Sequence, residues 1–387
     1  MTVTVAAGLF VTPFFLFSAT AGQICDKYEK SGVIRTLQKI QILFSILCCT
    51  CFFLGYLYAL IAILFAMTLS STFFGPVKYS ILPDHLKDSE LVAGNSLIEA
   101  GTFLSILMGA IFGSLMIRQE NGIPIFSLCV IGASVLSWLV SLAIPLASRD
   151  DPELQVGWNV FSVTYAVLQY ARHERTVWLA VIGISWFWLS GGVFLTQLPH
   201  FTKHVIGGNE GINVLWLMLF SLGVAIGSLV CSKLQGESID GKLVPYGLSG
   251  VTLGILCFAM ASVSYGHEYA PLIETAHAYP EKMLTITEFL ALGIPSFALM
   301  ASLLLIAFCG GIYIVPLYVM MQHHAPHQYR SRVIAANNIL NACFMTISSI
   351  GVFMLYSLGL NVMEIFLCVG VINLFIYSVI SGINKRG

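Results

Sequence analysis

Long apolar stretches separated by short charged segments run the length of the chain. A bilayer core about 30 Å thick is crossed by about 20 helical residues. Lipid offers no partner to a bare backbone N–H or C=O, so stretches of this length read as membrane-spanning α-helices. The pattern predicts eleven, near residues 3–23, 40–57, 58–83, 91–117, 123–147, 177–197, 211–233, 243–265, 289–321, 332–357 and 361–383. The run from Ile40 to Val77 carries no charge and is too long for one crossing, so a hairpin turning near Gly55 and Tyr56 is expected; Gly359 to Asn361 should turn the chain between the last two spans. A more polar segment, Arg149 to Arg175, interrupts the series, and its part from Phe161 to Tyr170 is amphipathic enough to lie along a membrane surface.

Composition agrees with that pattern. Hydrophobic residues make up 57% and charged residues 10% of the chain, against about 45–50% and about 25% in a soluble domain. A net charge of −1 gives no footprint for nucleic acid. With the N-terminus outside, fifteen Lys and Arg residues fall on one side of the membrane and only Arg118, Lys203 and Lys282 on the other. This asymmetry predicts a cytoplasmic C-terminus. Residues 1–23 lack the basic n-region and cleavage site of a signal peptide and read as a span. Cys48, Cys49 and Cys51 lie mid-span and read as packing, and no disulfide framework is indicated. The pairs and clusters His200 with His204, and His323, His324 with His327, lack a Cys or carboxylate to complete a ligand set, so neither metal nor cofactor is called for.

An internal repeat sets the domain organisation. Leu91 to Ala100 reads LVAGNSLIEA and Val333 to Ala342 reads VIAANNILNA, with Pro76 and Pro316 preceding the copies at similar distances. Two such copies imply two homologous bundles related by an axis along the membrane normal. The expected division is an N-terminal bundle of five spans over 1–148, a linker over 149–176 and a C-terminal bundle of six spans over 177–387.

Several blocks carry a family likeness. Gly22 to Lys30, GQICDKYEK, resembles the loop motif of the major facilitator superfamily, with a degenerate counterpart from Gly227 to Lys233. More specifically, FFGPVKYSILPDHL (Phe73 to Leu86), GSLVCSKLQG with the following LVPYG, and RSRVIAANNILNA (Arg330 to Ala342) resemble the lysophospholipid transporter family. They are most similar to the transporter portion of proteins fused to an acyltransferase and an acyl-carrier-protein synthetase. The resemblance implies an all-α major facilitator fold, two pseudo-symmetric bundles working by alternating access, and a lysophospholipid of the phosphatidylethanolamine type as cargo. It also implies residence in a bacterial inner membrane, in contact with membrane lipid, as a monomer. The family has twelve spans with the Asp26 loop between its first and second, so relative to the family a first helix is missing. The fused enzymes are missing too, which implies a separate acyltransferase/acyl-carrier-protein synthetase as partner.

An amphiphilic cargo needs polar groups inside an apolar cleft, and the spans offer few. Glu99 is the leading candidate, because a carboxylate inside a span costs at least ~2.5 kcal/mol and should face the bundle interior. It would bind headgroup or carry a proton; a structural hydrogen bond between helices is the alternative. Asn95, one turn away, and Asn337 and Asn341 in the second copy could bind cargo or bridge helices. Lys78, in the GPVKY block, would hold a phosphate, as the resemblance suggests, or snorkel to the interface. Trp188 and Gln197, with Trp186, would wall a lipid tail or serve as belt and packing residues. Gly22, Asp26, Lys30 and Arg35 are expected to form a conformational latch, as the loop motif implies, or an ordinary solvated loop. The pairs Gly109 with Gly113 and Gly223 with Gly227 are expected to allow close helix packing. A generic efflux or small-solute carrier of the same fold is the runner-up, and a truncated, non-transporting remnant a third reading. A membrane enzyme is disfavoured, because no Ser/His/Asp set, HExxH, Walker loop or paired intramembrane carboxylates appears.

Overall fold

The computed structural model describes residues 2–116 and 119–381, and their side chains except those of residues 2–10 and Pro280. Arg118, Lys385 and Arg386 therefore lie outside the described residues. The long helices are α1 (Thr2–Lys27), α2 (Lys30–Leu54), α3 (Leu57–Ser80), α5 (Leu91–Met116), α6 (Gly122–Ser141), α8 (Arg175–Phe201), α9 (Glu210–Gln235), α10 (Leu243–Glu268), α13 (Ile294–His324), α14 (Arg330–Ser357) and α15 (Val362–Ile380). Between them lie α4 (Leu82–His85), α7 (Val160–His173), α11 (Ala270–Ala278) and α12 (Ile286–Ala291). Among the described residues ten helices are long and apolar enough to cross a membrane. Helix α1, at 26 residues, corresponds to the other expected span. No strand occurs among the described residues, only an isolated bridge between Gly208 and Leu284.

Local chemistry explains the turns. Gly55 closes α2 in the left-handed conformation at φ 71°, which glycine adopts without a Cβ clash. Asn361 begins α15 with a reciprocal capping box to Glu364. Two expected spans need correction. The stretch 123–147 is helical only to Ser141, because Pro145 disfavours helix in the residue before it and cannot itself donate. The stretch 289–321 is broken at Gly293, φ 77°, so that α12 ends and α13 starts afresh at Ile294 with Pro295 in its first turn.

The chain forms two compact units whose boundaries fall inside helices. The first comprises residues 1–91, 111–185 and 319–343. In it α1 packs on α3 and α7, and α2 lies against both α3 and α6. Its core joins Cys25, Ile34, Val77, Ile81 and Ala147. Gly22 lets α1 approach α14, since a Cβ there would stand 2.7 Å from the Ala335 Cβ and 2.9 Å from the Ser331 carbonyl. The second unit comprises residues 92–110, 186–318 and 344–387. Helix α10 packs on α15, and Phe194 stacks on Phe366 at 4.4 Å between ring centres. Asn373 ties that packing together, accepting from Trp186 Nε1 at 2.7 Å and donating to Leu248 O and Thr252 Oγ1, both at 2.8 Å.

Candidate functional site

In the first unit the loop motif becomes a buried ion-pair cluster. Asp26, past the apolar stretch of α1, presents its carboxylate to the start of α14, whose first N–H groups have no partner within the helix. Its Oδ1 accepts from Ser331 N at 2.9 Å, and its Oδ2 from Arg332 N at 3.3 Å and Arg332 Nε at 2.8 Å. Arg332 also donates to Asp151 Oδ2 at 2.9 Å and Gln328 O at 2.7 Å. Its guanidinium lies 5.2 Å from the Tyr170 ring, which stacks on Tyr329.

Lys30 is fully buried. Its ammonium donates to Asp84 at 2.6 Å and sits across both oxygens of Asp150, at 2.9 and 2.8 Å. Arg330 approaches Asp84 at 3.6 Å, and His327 stands 3.5 Å from Asp150 and 3.8 Å from Asp84. Asp84, Asp150 and His327 are close enough to hold an ion, but the Lys30 ammonium already lies between the two carboxylates. Four carboxylates here face three fixed cations, with His327 able to supply a further charge. Burial pushes Asp26 up to about 6 against the opposing pull of Ser331 and Arg332. Burial also raises Asp150, although Lys30 works to lower it.

Arg35 does not join these pairs. It donates to Ile144 O at 2.7 Å and Ser141 O at 3.4 Å, where a cation suits the carbonyl end of α6. Glu29 caps α2: burial works against its charge, but bonds from Ser31, Ala147 and Gly32 outweigh it and hold the carboxyl below its usual range.

The first unit also holds Lys78, Asn337 and Asn341. Lys78 is half-buried with its ammonium 4.4 Å from the Tyr79 ring centre. Asn337 is buried, and its Oδ1 accepts no hydrogen bond among the described residues. Asn341 Oδ1 accepts from Ser185 Oγ at 2.8 Å. The blocks GPVKY and AANNILNA meet here, since a Cβ on Gly75 would stand 2.6 Å from the Asn338 amide.

In the second unit one face of α5 carries Asn95, Glu99 and Phe103 at i, i+4 and i+8, all buried. The face turns from polar to aromatic along the helix. Phe103 meets Phe187, Trp188 and Phe220 at 6.0, 6.1 and 6.3 Å between ring centres. Phe187 and Phe220 also line a small apolar recess with Phe194, Val224 and Ile306. Trp188 Nε1 donates to Tyr318 Oη at 3.2 Å, and Gln197 Oε1 accepts from Tyr356 Oη at 2.7 Å.

The two glycine pairs differ. At Gly223 a Cβ would stand 2.6 Å from the Ala307 Cβ, and at Gly227 it would overlap the Phe308 carbonyl, so α9 and α13 touch backbone to backbone. Gly109 needs correcting as a packing residue, because a Cβ there would meet nothing within 4 Å, and Gly113 would meet only Phe126 in ordinary contact at 3.9 Å.

Sequence reasoning missed the partners of the latch. Asp84, Asp150, Asp151, His327, Arg330 and Arg332 were visible only as charges near span ends, and their concentration in the segments flanking α3, α6 and α14 was the available signal. Phe103 looks like an ordinary span residue and gave none, whereas Asn373, an amide inside the last span, carried the same signal as Asn95 without being singled out.

Among the described residues, ten helices of spanning length and buried ion pairs at helix ends define a multi-pass α-helical membrane protein. A model of the Major Facilitator Superfamily matches residues 1–349, and the chain belongs to that superfamily. It is 22% identical over 327 residues to the lysophospholipid transporter LplT of Enterobacter sp. (strain 638), covering 82% of this chain and 70% of that protein. To LplT of Escherichia coli O7:K1 (strain IAI39 / ExPEC) it is 24% identical over 323 residues, covering 81% and 69%. Solved structures share the fold. The human organic anion transporter MFSD10 (TETRAN) matches at TM-score 0.71 and 14% identity over 97% of this chain and 82% of that one. FucP in the outward conformation, a Major Facilitator Superfamily transporter, matches at TM-score 0.70 and 12% identity over 99% and 90%.

Proposed function

We propose that this transporter moves a lysophospholipid, with the α5 face of Asn95, Glu99 and Phe103 as the centre of its cargo site. The observation that carries the reading is the chemical gradient on that face: a buried carboxylate and amide are followed one turn on by a cage of aromatic rings. A lysophospholipid has the same order, a polar head joined to one apolar chain. The likeness to LplT proteins over four-fifths of the chain supports that cargo class. Trp188 and Gln197, on the same unit, complete the site around the tail.

The two repeats, as homologous bundles over 1–148 and 177–387 joined by the linker 149–176, alternate in exposing the site. The ion pairs of Asp26 and Lys30 hold the linker side together in one of the alternating states. The chain resides in a bacterial inner membrane as a monomer with a cytoplasmic C-terminus, and it delivers cargo to a separate acyltransferase. The test is uptake by proteoliposomes containing the purified chain, measured for lysophosphatidylethanolamine and for a panel of sugars, organic anions and cationic drugs. Uptake of the lysolipid alone supports the proposal; uptake of a panel solute with none of the lysolipid moves the function to small-solute transport.

A further inference from the structure

Helix α7 lies outside the site just described, and its sides differ in chemistry. Val163, Val167 and Ala171 are buried, on a helix that packs against α1. Phe161, Tyr165, Leu168 and Arg172 follow one another at i, i+4, i+7 and i+11, and so form a second stripe along the helix. Phe161 is 80% and Tyr165 64% exposed, and Trp158, just before the helix, is 76% exposed. Ser162, Gln169 and His173 form a third, polar and exposed side. On the remaining side Tyr170 stacks on Tyr329 at 4.7 Å between ring centres.

A helix surrounded only by water would have no use for that exposed aromatic stripe, and one buried in protein would have no polar side. The arrangement fits a helix at a three-way boundary of protein, lipid and water. We propose that α7 docks its Trp158, Phe161 and Tyr165 stripe into the headgroup region of the bilayer, and that the lipids it takes there are anionic. Two observations select lipid over a protein partner. The helix leads directly into a membrane span, because only Glu174 separates the end of α7 from the start of α8 at Arg175. Trp, Tyr and Phe are also the residues that settle at this depth. The charge argument comes from Arg172, His173 and Arg175, which are exposed at the end of the stripe with only Glu174 opposing them in that turn. Arg172 lies 4.8 Å from the ring centre of Trp178 on α8, which holds its guanidinium beside the start of the span.

The test places the purified chain in nanodiscs of phosphatidylcholine and phosphatidylglycerol, with one lipid or the other brominated on its acyl chain. The probe is Phe161→Trp in a Trp158→Phe background, read as the difference from Trp158→Phe alone. The expected result is blue-shifted probe emission that is quenched more strongly by brominated phosphatidylglycerol than by brominated phosphatidylcholine. Arg172→Gln with Arg175→Gln should abolish that preference. If the probe variant does not fold, the difference between wild type and Trp158→Phe reads the native Trp158 in the same way. Water-like, unquenched emission overturns the proposal, as does blue-shifted emission that neither lipid quenches, which would place a protein on this face. Equal quenching by the two lipids overturns the anionic assignment.

Discussion

Asp26 combines two roles that oppose each other energetically. Its carboxylate satisfies the first N–H groups of α14 and pairs with Arg332, yet burial raises its pKa to about 6. A carboxyl whose folded pKa is raised contributes stability that is fully present below its free value of 3.8 and lost as pH rises through about 6. Wild type should therefore lose stability relative to Asp26→Asn over that window, by on the order of 3 kcal/mol. Thermal unfolding of both proteins at a series of pH values checks it; parallel curves would refute the buried, ionised carboxyl. Lys30 behaves differently, since removing its ammonium leaves Asp84 and Asp150 facing each other in a buried site. Lys30→Met should destabilise by about 3–5 kcal/mol, read by the same unfolding assay, and Lys30→Arg should recover part of the loss. None of these pairings could be read from the chain alone. Asp26 and Arg332 are 306 positions apart, and charges beside span ends look like solvated loops until tertiary structure brings them together.

At the scale of elements, local signals proved readable because their causes are local. The hairpin turn at Gly55 and the start of α15 at Asn361 follow from a left-handed glycine and a capping box. One expected span stops at Ser141, short of Pro145, and another is broken at Gly293, where breaker residues outweigh apolar length. Small residues four apart were a weaker guide, because the motif says that a close approach is possible and not that a helix is there. Gly227→Leu should push α9 off the Phe308 backbone and destabilise by at least about 1–3 kcal/mol. Gly109→Leu, facing open space, should not. Comparing the melting temperatures of the two variants decides the point, and an equal loss in both would contradict the packing described here.

For the whole molecule, the class of fold was legible because lipid imposes a length and a polarity on every span that water does not. The proposed cargo site was legible only in part. Asn95 and Glu99 stood out because polar groups are costly in a span, while the aromatic cage around Phe103 is composed of residues that any span contains. The account therefore turns on whether Glu99 belongs to the path of the cargo. The most direct measurement is uptake of labelled lysophosphatidylethanolamine into proteoliposomes by wild type and Glu99→Gln, reconstituted to equal amounts and with equal helical content. Transport by wild type and its loss in the variant is the expected result. Transport by Glu99→Gln at the wild-type rate would contradict the placement of the cargo on this face of α5.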